Sequence, residues 1–462
     1  MRIGFGKVDI TPPIQLGLRM AGNAPWPPAS GVTWPLHGRV MLADDGSARV
    51  AIVCLDLMAL PASEVAILRS RLAVVGGLAP AAILVACTHT HRAPFTHLAG
   101  VASEAEVFGY LDTLYAALEQ AVAMAVADLA PATLLVGRTT AFGWAFNRRP
   151  IYAGGEVGTH GPARGNGFIG MEDEPDEVIR VLIARAPDGS IRGGFVAFAC
   201  HPTVMEDELV FSADYAGVLT EELETRSGGI FGLLQGASGD VAPPDPASDD
   251  MRHGFGPAHA LAMGRALADA ASVAFNRARI VDPARLRSAT THLAIPQRRP
   301  TDEQVELARW YLEAAPPDLD EYAFTRRITG HDYIFNDGRP PSNDGYVREL
   351  LGMWGWQRRS GGRELVEQIE VQAVAFGDVA LVAFPVELFT AFGRRLQASG
   401  SFGDTIVVTL ANGWHGYVPT PQAFAHGGYE TLLAYSSRLV PDAGDRLIDA
   451  ALNLLRSLDY PR

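Results

Sequence analysis

Cysteine is scarce: the 462-residue chain has 3, Cys54, Cys87 and Cys200. Each lies in an apolar, strand-like run. An odd number in such positions points to buried free thiols in a reducing compartment and away from a disulfide framework. Positive charge is also short. Lys and Arg total 38 against 52 Asp and Glu, giving a net charge of −14 and a pI near 5.3. Phosphate binding needs clustered basic residues, so nucleic acid is disfavoured as a partner, as is electrostatic docking on an anionic membrane. No apolar run reaches the roughly 18 residues of a bilayer span, so no integral membrane segment is expected. The opening Met1-Arg2-Ile3-Gly4-Phe5-Gly6-Lys7 lacks the apolar stretch of a secretory signal. The expected location is therefore cytoplasmic and the expected partner a small-molecule substrate; a homo-oligomer stays open.

What the chain does have is core-forming material, 48% hydrophobic against 19% charged residues. Short runs rich in Val, Ile, Leu and Phe read as strands buried on both faces: Val50 to Leu55, Ala82 to Cys87, Gly194 to Cys200, Ile230 to Leu234, Val379 to Phe384 and Thr405 to Leu410. Helical periods lie between them at Pro61 to Leu72, Phe108 to Leu129, Tyr215 to Arg226, Ala258 to Arg277 and Val386 to Gln397. Such alternation predicts an α/β (α+β) layered sandwich of mixed buried sheets flanked by helices. Trp26 to Pro35 reads as a loop. Gln297 to Arg363 turns charged and helical, with breaks at Pro316-Pro317 and Pro340-Pro341, and reads as a mostly helical insertion that could cap a site. Its aromatics Trp310, Tyr311, Tyr322, Phe324, Tyr333, Phe335, Trp354 and Trp356 suit either a pocket lining or ordinary helix packing. Without a long linker, residues 1–462 are expected to form a single catalytic domain carrying the 297–363 insertion.

Four segments that could carry chemistry each follow a predicted buried strand. They are Thr88-His89-Thr90-His91, His201-Pro202-Thr203, Pro385-Val386-Glu387 and Asn412-Gly413-Trp414-His415-Gly416-Tyr417. Ligand sites favour the carboxyl ends of strands, where one sheet edge gathers distant residues. Imidazole and carboxylate suit Zn²⁺, although the same donors accept Mn²⁺ or Fe. In extended chain, His89 and His91 would point the same way, so both could ligate, or one could ligate while the other moves protons. Taken singly, each residue has a plainer reading. His89 or His201 could be a satisfied core histidine, Glu387 a helix-start carboxylate, and Tyr417 a packing residue.

Taken together, these segments resemble the N-terminal catalytic domain of the neutral, non-lysosomal ceramidase family. The family's Gly-Thr-His-Thr-His-Ser-Gly-Pro is similar to Cys87-Thr88-His89-Thr90-His91-Arg92-Ala93-Pro94, and its Asn-Arg-Ser-Pro to Asn147-Arg148-Arg149-Pro150. His201-Pro202-Thr203-Val204-Met205 with Ser212-Ala213-Asp214 resembles its His-Pro-Thr-Ser-Met and Ser-x-Asp. Pro385-Val386-Glu387-Leu388-Phe389-Thr390, Gly393-Arg394-Arg395-Leu396, Asn412 to Tyr417 and Tyr429-Glu430 continue the likeness in order. The resemblance implies that His89, His201, Glu387 and Tyr417 hold zinc and that His91, Tyr429 and Arg148 line the reacting centre. It implies attack on an amide (N-acyl) bond by metal-activated water. Tyr429 would assist the metal in stabilising the oxyanion, His91 would protonate the leaving amine, and Arg148 would bind a polar group of substrate or make a structural ion pair.

Departures from the family pattern bear on substrate. Ala242 in Gly239-Asp240-Val241-Ala242-Pro243 stands where the family has a serine, and Ser238 is no obvious replacement. Gly-x-Ser-x-Gly is absent there too, which argues against a nucleophile-elbow serine hydrolase. Arg92 puts a charge beside His91. The chain is expected to end without the family's C-terminal β-domain. The expected substrate is an N-acyl amide, either ceramide-like or a smaller, soluble one. The alternatives are an ester, a lactone or another polar, sugar-like compound, or a binding protein that keeps the fold without catalysis.

Overall fold

The computed structural model describes residues 1–22, 27–96, 104–159, 163, 167–248, 254–282, 285–331, 334–335, 343–359, 361 and 363–459. Trp26, Tyr333, Pro340 and Pro341 lie outside the described residues.

Three sheets share one apolar interior. The first has the strand order Ile83–Cys87, Arg49–Leu55, His37–Asp44, Arg2–Asp9, Ala130–Pro131. The second runs Ile230–Gln235, Ile191–Phe198, Val178–Arg185, Thr133–Thr140, Arg279–Ile280, and the third Leu286–Pro296, Val366–Phe376, Val379–Ala383, Asp404–Val408. Phe5, Ile52 and Leu84 from the first sheet, Leu182 and Leu234 from the second, and Val374, Leu381 and Ile406 from the third meet in a single buried cluster. Their alternate residues face helices. Ala62–Gly76 and Glu104–Ala127 cover the first sheet, Asp214–Ser227 and Pro257–Asn276 the second, and Thr390–Gln397 and Ala443–Asp459 the third. Burial on both faces is why Arg49–Leu55, Ile83–Cys87 and Val379–Ala383 are nearly apolar throughout. The packing is close at Gly4 and Gly6, where a Cβ would come within 2.0 Å of the carbonyl oxygens of Ala125 and Ala121, so helix Glu104–Ala127 lies directly on the strand.

Each sheet ends in one parallel pair: Arg49–Leu55 with Ile83–Cys87, Ile191–Phe198 with Ile230–Gln235, and Val379–Ala383 with Asp404–Val408. The other pairings within these sheets are antiparallel. A parallel pair needs a crossover, and helices Ala62–Gly76, Asp214–Ser227 and Thr390–Gln397 supply it in turn. The mixed α/β architecture expected from the sequence is present, and the predicted strands and helices recur with ends shifted by a few residues.

Two local expectations change. Gly31–Trp34, placed in a loop by its Pro and Gly neighbours, forms a short strand parallel to Val210–Ser212. The helix read from Val386 starts at Thr390, and Glu387–Leu388 instead pairs in parallel with Tyr417–Val418. In the 297–363 segment, helices Asp302–Ala314, Glu321–Thr329 and Asn343–Arg359 enclose their own small core around Val305, Phe324, Val347 and Leu350. Thr301 and Gln304 form a capping box on the first of these helices. Trp310 and Tyr311 pack on Phe324, and Arg309 and Arg358 flank Trp354, so these aromatics serve helix packing. The insertion meets the body where Glu349 accepts from the Tyr435 amide at 2.5 Å and Arg298 Nη1 donates to the Thr431 carbonyl at 2.9 Å.

Candidate metal centre

The carboxyl ends of all three parallel pairs converge. His89 and His91 follow Ile83–Cys87, His201 follows Ile191–Phe198, Glu387 follows Val379–Ala383, and Tyr417 follows Asp404–Val408. The backbone there is unusual. Among the described residues, the non-glycine residues with positive φ are His89 (72°), Asp214 (58°), Leu410 (53°) and Asn412 (66°), and all but Asp214, which opens the crossover helix of the second sheet, lie in these segments. His89 is therefore not extended, contrary to the geometry first used to align it with His91. A left-handed turn aims it, held by Thr88 and His89 amides donating to the Leu55 and Leu57 carbonyls, both at 2.9 Å. Asn412 ties the first and third sheets. Its Oδ1 accepts from the Val85 amide at 3.0 Å, and its Nδ2 donates to Gln372 at 2.9 Å.

Hydrogen bonds assign the imidazole protons. His89 Nδ1 lies 2.8 Å from the Met58 carbonyl, and His201 Nδ1 lies 2.8 Å and 3.0 Å from the carbonyls of Ser238 and Val241. Carbonyls only accept, so each Nδ1 carries a proton, and in the neutral ring Nε2 carries a lone pair. Both Nε2 atoms face the same carboxylate oxygen. Glu387 Oε2 is 3.2 Å from His201 Nε2 and 3.4 Å from His89 Nε2. The His89 Nε2 is buried and makes no hydrogen bond. Burial, then the charge of Arg148, lowers the His201 pKa to about 3, so no proton bridges His201 and Glu387 at neutral pH. Two imidazole nitrogens and a carboxylate oxygen converging in this way could hold a metal ion. Ligands bonded to zinc at 2.0–2.1 Å in a tetrahedron lie about 3.3 Å apart, which matches both distances.

Around this core, Trp414 Nε1 donates to Glu387 Oε1 at 2.9 Å and fixes the other carboxylate oxygen. The Glu387–Tyr417 register sets the two side by side, and the Tyr417 ring stacks 6.4 Å from His201. Burial first, and then Glu387, pushes the Tyr417 pKa well up, while Arg148 opposes them by donating from Nη2 to the phenol oxygen at 3.2 Å. Arg148 also donates from Nε to Glu430 at 2.8 Å and from Nη2 to the Gly239 carbonyl at 2.9 Å. Its Nη1 makes no hydrogen bond among the described residues. Glu430 is fully buried and also accepts from Arg149 Nη1 at 2.6 Å, so one carboxylate serves two arginines. Tyr429 packs edge-on to Tyr417 at 5.7 Å, and burial holds its phenol protonated up to about pH 12.

His91 completes the group. The ring nitrogens of His89, His91 and His201 lie within 4.8 Å of one another and could themselves hold a metal. That is a looser set than the pair of distances to Glu387. The sequence-predicted site residues are thus gathered at one place. Trp414, Glu430 as a double acceptor, and Glu206 beside His91 were not picked out from sequence. Only their closeness along the chain to His415, Tyr429 and His201 could have signalled them.

Ala242 sits in the two-residue strand Val241–Ala242, opposite Phe146 and next to the Asn147-Arg148 segment. Ser238 is no substitute, because its hydroxyl accepts from Gln235 at 2.6 Å and its carbonyl holds His201. Arg92 turns away from the centre. Its buried guanidinium donates to the Met205 carbonyl at 2.9 Å and places its charge near Glu206, the carboxylate beside His91. A cavity of about 440 Å³ beside Lys7, Trp34, Arg39 and Glu224 contains none of the site residues, and the converging donor atoms locate the centre better than cavity size does.

Residues 1–244 match the family described as neutral/alkaline non-lysosomal ceramidase, N-terminal. The chain belongs to that family. Family and fold make it a ceramidase-like hydrolase, with a histidine group able to hold a metal ion. Among solved structures it is similar to the neutral ceramidase from Pseudomonas aeruginosa, with a TM-score of 0.70 and 19% identity over 99% of this chain and 74% of that one. It is also similar to a ceramidase complexed with C2, with a TM-score of 0.67 and 18% identity over 99% and 75%. No curated protein matches. No helix among the described residues is long and apolar enough to cross a membrane.

Proposed function

We propose that this ceramidase-family chain is a zinc-dependent amidohydrolase that cleaves an N-acyl bond, with His89, His201, Glu387 and Tyr417 as the metal ligands. The observation that carries the reading is the pair of imidazole Nε2 atoms, each opposite an Nδ1 held by a backbone carbonyl, that face one carboxylate oxygen at 3.2 Å and 3.4 Å. A bound zinc supplies Lewis-acid polarisation of the carbonyl and brings the pKa of a water toward about 7. The chain's own residues do the rest. His91 Nε2 accepts a proton from the attacking water and returns it to the amine, which leaves poorly without protonation. The Tyr429 hydroxyl donates to the developing oxyanion. Arg148 orients Tyr417, and its Nη1 is the edge left to bind a polar substrate group. We read residues 1–462 as one catalytic unit with 297–363 inserted.

A second reading, hydrolysis of an ester or lactone in a polar compound, is favoured by Ala242, whose methyl cannot hydrogen-bond. Metal analysis and a substrate panel test both. About one zinc per chain is expected in the wild type, and His89→Ala should fall below about half an equivalent and lose hydrolysis. Zinc retained in that variant would overturn the ligand assignment. Amine release from short-chain ceramide or a smaller N-acyl amine supports the amidase, and turnover confined to esters and lactones rules it out.

A further inference from the structure

Glu206 has no part in the chemistry above, yet it is built into the site. Its Oε1 lies 2.8 Å from His91 Nδ1, with both side chains about one-seventh exposed. The turn carrying it is fixed at both ends. The Glu206 amide donates to the Thr203 carbonyl at 3.2 Å, and the preceding Met205 amide donates to Asp214 Oδ2 at 2.9 Å. That turn is stitched to the histidine segment. Arg92 Nε donates to the Met205 carbonyl at 2.9 Å, the Thr90 hydroxyl to the Ser212 carbonyl at 2.6 Å, and the Ser212 amide to the Arg92 carbonyl at 2.8 Å. The two ends of a carboxylate–imidazole bond therefore sit on segments held rigidly together. A surface pairing would not need this.

The chemistry follows from the atoms. An ionised carboxylate only accepts, so the single proton of a neutral His91 is placed on Nδ1. Nε2 is then left with a lone pair. The ring stands edge-to-face with His89, centroids 5.0 Å apart, and its nitrogens group with those of His89 and His201. Without the carboxylate, the ring could flip or carry its proton on the inner nitrogen, and either change removes the acceptor. When Nε2 takes a proton from water, Glu206 faces the resulting imidazolium and stabilises it. When Nε2 gives that proton to the departing amine, the ring returns to its starting form. Glu206 itself gains and loses nothing.

We propose that Glu206 is the positioning residue for His91, fixing its tautomer and ring direction for proton transfer. The inference rests on the reading of His91 as the proton carrier. The test uses the full-length zinc-loaded protein and two substrates sharing one acyl group, a short-chain ceramide and the p-nitrophenyl ester. The ester's leaving group departs without a proton. Glu206→Ala should lower kcat on the amide about 100-fold, with KM within about 2-fold and zinc content unchanged, and lower ester turnover by clearly less, because the ester needs the proton taken from water but none returned to its leaving group. Glu206→Gln, which keeps shape and an accepting oxygen but no charge, should fall between. The downfield N–H proton resonance of a histidine–carboxylate bond should vanish in Glu206→Ala and in His91→Ala alike. Equal losses on amide and ester, or loss of zinc, would show Glu206 to be merely structural. If His91→Ala cuts amide turnover while Glu206→Ala and Glu206→Gln do not, this inference fails and the role of His91 stands. If His91→Ala keeps full amide turnover or strips the metal, the reading of His91 fails and takes this inference with it.

Discussion

His89 combines a left-handed backbone with a buried, unpartnered Nε2. A non-glycine residue pays about 1 kcal/mol or more for that conformation, and a buried nitrogen lacking a partner costs more. Both costs are accepted where a ligand has to be aimed and then satisfied by an ion. Tyr429 differs, since burial keeps it a phenol to about pH 12 and so a donor throughout the neutral range. Tyr429→Phe is expected to lower kcat about 100-fold, the usual loss for one oxyanion donor, with KM and zinc content near wild type. Unchanged kcat would remove it from the reaction. Glu367 gives a pH prediction. Burial opposes its charge, but His415 at 2.8 Å and Arg438 at 2.7 Å outweigh burial and bring its pKa to about 2. A depressed carboxylate stabilises the fold above its unfolded value of about 4.3, and that stability is lost as pH falls toward 2. Wild type should therefore exceed Glu367→Gln by about 2–3 kcal/mol at pH 6, with the gap closing between about pH 4.5 and 2 in denaturant titrations. A gap independent of pH would contradict the assignment.

At the scale of elements, the site depends on short pieces between the large sheets. Glu387–Leu388 and Tyr417–Val418 form a two-strand parallel ribbon that sets carboxylate beside phenol. The turn at Tyr429–Thr431 holds Glu430 between Arg148 and Arg149. Removing a buried charge shared by two arginines leaves Arg148 without its carboxylate and Arg149 with Glu172 alone, and breaking such a buried pair typically costs about 3–5 kcal/mol. Glu430→Gln should destabilise the protein by about that amount in urea unfolding and should release Arg148 from Tyr417. A loss below about 1 kcal/mol would mean that the arginines find other partners.

Across the whole molecule, three strand–helix–strand units with carboxyl ends pointing to one place make a centre from segments hundreds of residues apart. His89 and Tyr417 belong to different sheets, and their geometry is only as exact as the packing of the shared interior. The first sheet, the second and the third all contribute fully buried side chains to that interior, so the proposed metal ligands inherit its rigidity.

The strands, the main helices and the segments bearing the ligands were legible in the sequence, because burial on both faces leaves continuous apolar runs and polar residues at a strand end stand out against them. The grouping of His89, His201 and Glu387 was legible only as a set, since each alone has an ordinary structural use. What the tertiary structure decided were the relations across sheets. It placed Glu387 in a ribbon where local pattern read a helix, turned His89 through a left-handed residue, and drew Arg92 away to the Met205 carbonyl. It also set Glu206 against His91. None of these follows from nearest neighbours along the chain. A proton's position on imidazole is decided by whichever acceptor folding brings within about 3 Å, and a sequence does not state that distance.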